Sequence, residues 1–242
     1  MDINCDLGEG AGHDAALMPL ITSANIACGA HAGDLATMRE TVALAQRHGV
    51  AIGAHPGFAD RENFGRRELA LTPAGIRTMV RGQIEMLRDL ATVRHVKPHG
   101  ALYNMAARDP LIAGAVATAV HECDPALIVF APARSELSRA AFALGLRVAN
   151  EVFADRTYRR DGSLTPRSEP GALIHDERGA AAQVLRMIRE GRVRAADGTD
   201  AAIAADTVCV HGDGSSPVEF VQRLRAELSA AGIEIVAPLQ GF

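Results

Sequence analysis

Paired cysteines are missing from this 242-residue chain: Cys5, Cys28, Cys123 and Cys209 stand apart with no C-x-x-C among them. That spacing excludes a zinc ribbon and a dithiol redox motif, and the four read as small buried hydrophobes in a reducing compartment. Runs of like charge are missing too. The net charge of -4 is spread along the chain, so neither nucleic acid nor an anionic membrane surface is expected as a partner. No apolar stretch is long enough to span a bilayer, since Ala15 to Gly33 is broken by Pro19, Asn25 and His31. The opening MDINCDLGEG has neither a basic leader nor an apolar segment with a cleavage site, and the expected location is cytoplasmic. There is no G-x-S-x-G elbow, no H-E-x-x-H helix and no G-x-x-x-x-G-K-[ST] loop. HGDGSS, residues 211 to 216, is glycine-rich but lacks the lysine, so the chain carries no recognisable ATP loop of its own.

What is present is alternation. Short apolar runs alternate with helix-length segments, which is the pattern of parallel strands joined by crossover helices. Strands are expected near Ile3–Asp6, Ala24–Ala27, Ala51–Ala54, His95–Pro98, Leu127–Ala131, Arg147–Glu151 and Thr207–His211. Thr72-Pro73, Asp109-Pro110 and Ser216-Pro217 each set a capping side chain before a proline that needs no N–H at the first helical position. Gly49, Gly145, Gly191 and Gly232 are placed to end helices in a left-handed turn. About seven β-α units approach the usual size of about 250 residues for a closed β/α barrel. No G-x-G-x-x-G follows an early strand, which argues against an open doubly wound sheet. With no composition break, the expectation is one α/β domain over residues 1–242, a (β/α) barrel of about seven parallel strands. Two connections, Pro56 to Leu71 and Val152 to Ile174, exceed the usual loop limit of about 12–15 residues and are expected to belong to a site or an interface. Their paired arginines, Arg66-Arg67 and Arg159-Arg160, are read as ordinary solvated charges.

Strands buried on both faces should be nearly all apolar, so polar residues at their carboxyl ends are informative. Asn4 and Asp6 project to one side of the first strand, and Lys97 and His99 of VKPHG do the same on the fourth. Asn25, His31, His55, Glu151, Asp155, Arg156, His211 and Asp213 stand at other strand ends, and Tyr103 follows Gly100. Of nine histidines, only His31, His55, His99 and His211 are assigned to strand ends, the rest to helices or loops. A lone histidine is commonly a satisfied core residue, but a barrel gathers all strand carboxyl ends on one catalytic face. Asp6, flanked by Gly8 and Gly10, suits a general base or a metal ligand. Lys97 suits a buried cation that binds a carboxylate or stabilises an oxyanion. Asp and two His at strand ends would suit a divalent metal, although spacing across separate strands fixes no ligand set.

Six strings in order, DINCDLGEG, NIACGAHAGD, IGAHPGFADRENFGRR, VKPHGALYN, EVFADRTYRRDGSLTPR and CVHGDG, resemble the LamB/YcsF family over nearly the whole chain. Glu62-Asn63 and the GAGHDAA segment from Gly10 are small departures that touch loop geometry alone. The resemblance implies a seven-stranded barrel similar to carbohydrate deacetylases and glycoside hydrolases. It also implies the A subunit of an ATP-dependent 5-oxoprolinase, which opens 5-oxoproline (pyroglutamate) to L-glutamate beside the B and C subunits. On that basis the catalytic set is Asp6, Lys97, His99, Glu151 and His211. Asp6 or Glu151 would be the base, His99 or His211 the proton shuttle, and Lys97 the cation for substrate. Asn4, Asn25, His31, His55, Tyr103, Asp155, Arg156 and Asp213 would bind substrate. ATP is the complex's cofactor. The rival is a stand-alone metal-dependent amide or carbohydrate hydrolase with Asp6 and two histidines as ligands.

Overall fold

The computed structural model describes residues 1–210 and 217–238. Seven parallel strands close into a barrel in the order β1 (Asp2–Leu7), β2 (Ser23–Ala27), β3 (Ala51–His55), β4 (His95–Val96), β5 (Ile128–Pro132), β6 (Arg147–Phe153) and β9 (Thr207–Val210), with β9 returning to β1. All seven expected strands are there. Around them lie α1 (Asp14–Leu17), α2 (Leu35–His48), α3 (Pro73–Arg88), α4 (Gly100–Arg108), α5 (Pro110–Cys123), α6 (Glu136–Ala143), α7 (Glu177–Glu190) and α8 (Pro217–Ala230). Among the described residues no helix is long and apolar enough to cross a membrane. Sequence reading missed the antiparallel pair β7 (Arg192–Arg194) and β8 (Asp200–Ala202). Each has three residues with one buried side chain, too short a pattern to show a period.

Local chemistry starts and stops the helices where the sequence places the signals. Thr72 accepts a bond from Gly75 N ahead of Pro73, and Asp109 accepts from Leu111 N and Ile112 N around Pro110. Gly49 and Gly191 close α2 and α7 at φ 67° and 62°. Ser216 lies outside the described residues. On α3, Ile76, Val80, Ile84 and Leu87 are fully buried against the barrel, so the helical stripe packs as its period requires.

The main apolar core lies between strands and helices. On β1, Ile3, Cys5 and Leu7 join it, while the alternate residues Asp2, Asn4 and Asp6 face the barrel axis. Branched aliphatic residues ordinarily fill a barrel interior. Here the axis is polar, with two small apolar groups beside it among the described residues, Ile128–Phe130–Ala149 and Tyr103–Phe153–Cys209. Register explains one choice of glycine. Asn25, Gly53 and His95 stand side by side on β2, β3 and β4, and a Cβ on Gly53 would lie 2.1 Å from His95 Nε2. Only a residue without a side chain leaves room for that imidazole, which stacks on Phe130 at 4.2 Å.

Candidate active site at the carboxyl mouth of the barrel

Lys97 is the hub of the site. It follows β4 directly, is 3% exposed, and is the only lysine in the chain. Its Nζ lies 2.9 Å from Asp6 Oδ1, 2.9 Å from Glu151 Oε1, 3.0 Å from Cys209 Sγ and 3.3 Å from Asn4 Oδ1. The Phe153 ring sits 5.5 Å away. Burial opposes charge on this ammonium, but Asp6, Cys209 and Glu151 around it hold its pKa well above the ordinary lysine value. Asn25 Nδ2 donates to Asp6 Oδ1 and to Asn4 Oδ1, and His95 Nε2 donates to Asn25 Oδ1 at 2.8 Å. Tyr103 OH donates to Glu151 Oε2 at 2.6 Å, so Glu151 is fixed from both sides and its side chain has no exposure at all.

Beside this network stands a second group. Glu9, His31, His55 and His99 each present one donor atom, all within 4.8 Å of one another. His31 Nε2 donates to Glu9 Oε1 at 3.0 Å, and the His31 and His99 rings stack at 3.8 Å. His55 Nε2 lies 3.3 Å from Asp6 Oδ2, which joins the two groups. Burial works against ionising Glu9, yet the His31 and His99 rings beside it bring its carboxyl down to about 2. Burial lowers His31 to about 4. For His55 burial is outweighed by the charge of Asp6, and its pKa is raised.

The 56–72 connection roofs this group. His99 Nε2 donates to Phe64 O at 2.8 Å, and the Phe64 ring meets His99 and His31 edge-on at 5.2 and 5.8 Å. Gly65 is required here: it takes φ 62°, and a Cβ on it would lie 2.8 Å from His31 Cβ and 3.0 Å from His99 Cδ2. Gln83 of α3 anchors the start of the connection by bonding both N and O of Gly57.

The structure thus brings Asn4, Asp6, Asn25, His31, His55, Lys97, His99, Tyr103 and Glu151 together. Asp155 and Arg156 lie in the second long connection, where Arg156 Nη2 donates to Thr165 O at 2.5 Å. His211 and Asp213 lie outside the described residues. Four expectations need correction. Lys97 is enclosed by two carboxylates, an amide oxygen and a thiol, so it is not open to a substrate carboxylate as it stands. The carboxylate grouped with the histidines is Glu9, not Asp6, because Asp6 Oδ1 is engaged by Lys97 and Asn25. Cys209 is buried like Cys5 but is no inert hydrophobe, since its sulfur faces Lys97. His95 lies on β4, inside the strand expected from His95 to Pro98, so its grouping with the helix and loop histidines does not hold. Glu9 could have been found from its position between two glycines directly after β1, and Lys97 stands out more sharply as the sole lysine beside 24 arginines. Arg66, Arg67, Arg159 and Arg160 are exposed, as expected.

A closed β/α barrel with a buried ion-pair network at its carboxyl mouth has the layout of a small-molecule enzyme. The chain belongs to the LamB/YcsF family, whose model matches residues 1–241. It is 54% identical to the 5-oxoprolinase A subunit of Geobacillus kaustophilus (strain HTA426), across 98% of this chain and 96% of that protein. With the 5-oxoprolinase A subunit of Bacillus subtilis (strain 168) it shares 51% identity at the same coverage. Among solved structures, a lactam utilization protein from Thermus thermophilus superposes with a TM-score of 0.93 at 44% identity, covering 98% of this chain and 99% of that one. A peptidoglycan N-acetylglucosamine deacetylase domain from Eubacterium rectale ATCC 33656, covering 100% of this chain and 91% of that one, gives a TM-score of 0.51 at 10% identity, a likeness of fold alone.

Proposed function

We propose that this chain, acting as one unit, is the ring-opening subunit of an ATP-dependent 5-oxoprolinase and works in the cytoplasm with two further subunits, B and C. The observation that carries this reading is full-length identity of 51–54% to chains named as the A subunit of 5-oxoprolinase. Amide resonance makes the lactam carbonyl unreactive, so coupling to ATP has a physical purpose. In this reading the partners transfer a phosphoryl group to the carbonyl oxygen. Water then adds to the activated carbon, the ring C–N bond breaks, and the resulting acyl phosphate is hydrolysed to glutamate and phosphate. Asp6 takes the proton from the attacking water and returns it to the departing ring nitrogen. Its side chain keeps 14% exposure at the mouth, whereas Glu151 is fully enclosed and serves to hold Lys97. Asn4, Asn25 and Tyr103 fix that network. Arg156 takes the substrate carboxylate: its Nε is buried with no hydrogen-bond partner among the described residues, and burial together with the neighbouring Arg167 lowers its pKa, so an incoming anion would relieve it.

The test is glutamate release from 5-oxoproline and ATP with this chain omitted and then restored to its partners. Release that does not depend on the chain overturns the reading. In the assembled complex, Asp6→Asn should slow turnover by about 10²–10⁴-fold. The second reading, a stand-alone metal-dependent amide or carbohydrate hydrolase, is favoured by the Glu9 and histidine group. Turnover without ATP and without partners would decide for it.

A further inference from the structure

We propose that Glu9, His31, His55 and His99 hold one divalent transition-metal ion. The inference stands on side-chain geometry and does not depend on the reaction proposed above.

The argument begins at the far side of two rings. His55 Nδ1 lies 2.7 Å from Lys97 O, and His99 Nε2 lies 2.8 Å from Phe64 O. A carbonyl oxygen only accepts, so both of those nitrogens carry the hydrogen. In neutral imidazoles, His55 Nε2 and His99 Nδ1 are then lone pairs, and they face each other at 2.9 Å. Glu9 Oε1 faces the same space, 3.7 Å from His55 Nε2, 3.3 Å from His99 Nδ1 and 3.0 Å from His31 Nε2. Three electron-rich atoms, His55 Nε2, His99 Nδ1 and Glu9 Oε1, converging on one point repel unless a cation lies among them. His31 Nε2, which donates to Glu9 in the metal-free arrangement, becomes the fourth ligand when its hydrogen moves to Nδ1. Outer N–H groups pinned on backbone carbonyls are the usual way a protein aims imidazole lone pairs at a metal.

Size and charge agree with that reading. Ligands about 2.1 Å from a tetrahedral centre stand about 3.4 Å apart, and the four separations given above, 2.9 to 3.7 Å, bracket that value, while the whole group stays within 4.8 Å. Three imidazoles with one carboxylate suit zinc or a neighbouring first-row ion better than magnesium or calcium. Asp6, Glu9 and Glu151 set three carboxyl groups against the single ammonium of Lys97, so the mouth favours a further positive charge. On ligation His31 Nε2 exchanges its hydrogen bond to Glu9 for the ion, and the ring hydrogen moves to Nδ1, which is buried and holds no other bond among the described residues to be broken.

The experiment is metal uptake by the full-length chain, stripped with a chelator and then equilibrated separately with Zn²⁺, Co²⁺ and Mn²⁺. Elemental analysis should find about one ion per chain for at least one of the three. Cobalt should give the visible absorption of a nitrogen-ligated site, and the bound ion should raise Tm. Glu9→Gln keeps the side chain's size and should weaken uptake by about tenfold or more, as should His99→Ala, whereas exposed His48→Ala should not. Absence of stoichiometric uptake of all three ions overturns the proposal and leaves a shared proton between His55 and His99. Uptake unchanged in both Glu9→Gln and His99→Ala overturns it equally, because the ion would then sit elsewhere.

Discussion

The floor and the mouth of this barrel are both polar and both buried, and they differ in what their polar groups do. At the floor, Asp2 accepts bonds from the hydroxyls of Thr22, Ser23 and Thr207, and Thr207 in turn accepts from Asn4. Every group there finds a neutral partner, and burial raises the Asp2 carboxyl to about 6. At the mouth, by contrast, two carboxylates share one ammonium and three imidazoles crowd a third carboxylate. Buried polarity alone therefore does not mark a site. Concentrated charge and convergent lone pairs do, because they are tolerated only where something else is to be held or transformed.

The strongest way to break the comparison is at Lys97. Lys97→Met leaves Asp6 and Glu151 buried without a counter-charge, and urea unfolding should show a loss of about 3–5 kcal/mol. Adding Glu151→Gln should recover part of it, and no recovery would mean that the ion pair is not the cause. The floor offers a test of opposite character. Asp2 holds its proton more tightly folded than unfolded, its pKa moving from 3.8 to about 6, so the folded state binds more protons between those values. Its stabilising contribution is present below pH 4 and is lost as pH rises to 6, by about 3 kcal/mol in all. Asp2→Asn should remove that slope from the pH dependence of unfolding while leaving glutamate release unchanged, in contrast to the loss expected for Asp6→Asn on the same strand. Gly53→Ala, between floor and mouth, drives a Cβ into the His95 ring and should cost about 1–3 kcal/mol. At the surface, Arg159→Ala breaks an exposed pair with Glu169 and should shift stability by less than about 0.5 kcal/mol.

The barrel was legible in the sequence because its strands and helices announce themselves locally. Thr72-Pro73 and Asp109-Pro110 start helices by their own chemistry, and runs such as IVFAP need no distant partner to read as strand. Polar strand ends also pointed to the mouth, since closure of a parallel barrel brings them to one face. What was not legible depends on depth and pairing. Asp6 and Glu9 are three residues apart, yet one joins Lys97 and the other the histidines. The difference comes from β4 and the 56–72 connection, which meet them from distant parts of the chain. Cys209 reads as an apolar strand residue until the register sets it beside Asn4 and under Lys97. The polar floor was missed because its acid and hydroxyls stand at the amino ends of strands, where no function was sought.

A chain with one lysine, and that lysine sealed, carries its own reporter. Apart from the amino terminus, Lys97 offers the sole amine for acylation, and it can react only when the barrel mouth opens and the ammonium sheds Asp6 and Glu151. The slow labelling of that single amine, followed by mass spectrometry, thus measures the free energy of local opening at one atom. Its response to substrate or to partner proteins would map their arrival without a probe being attached.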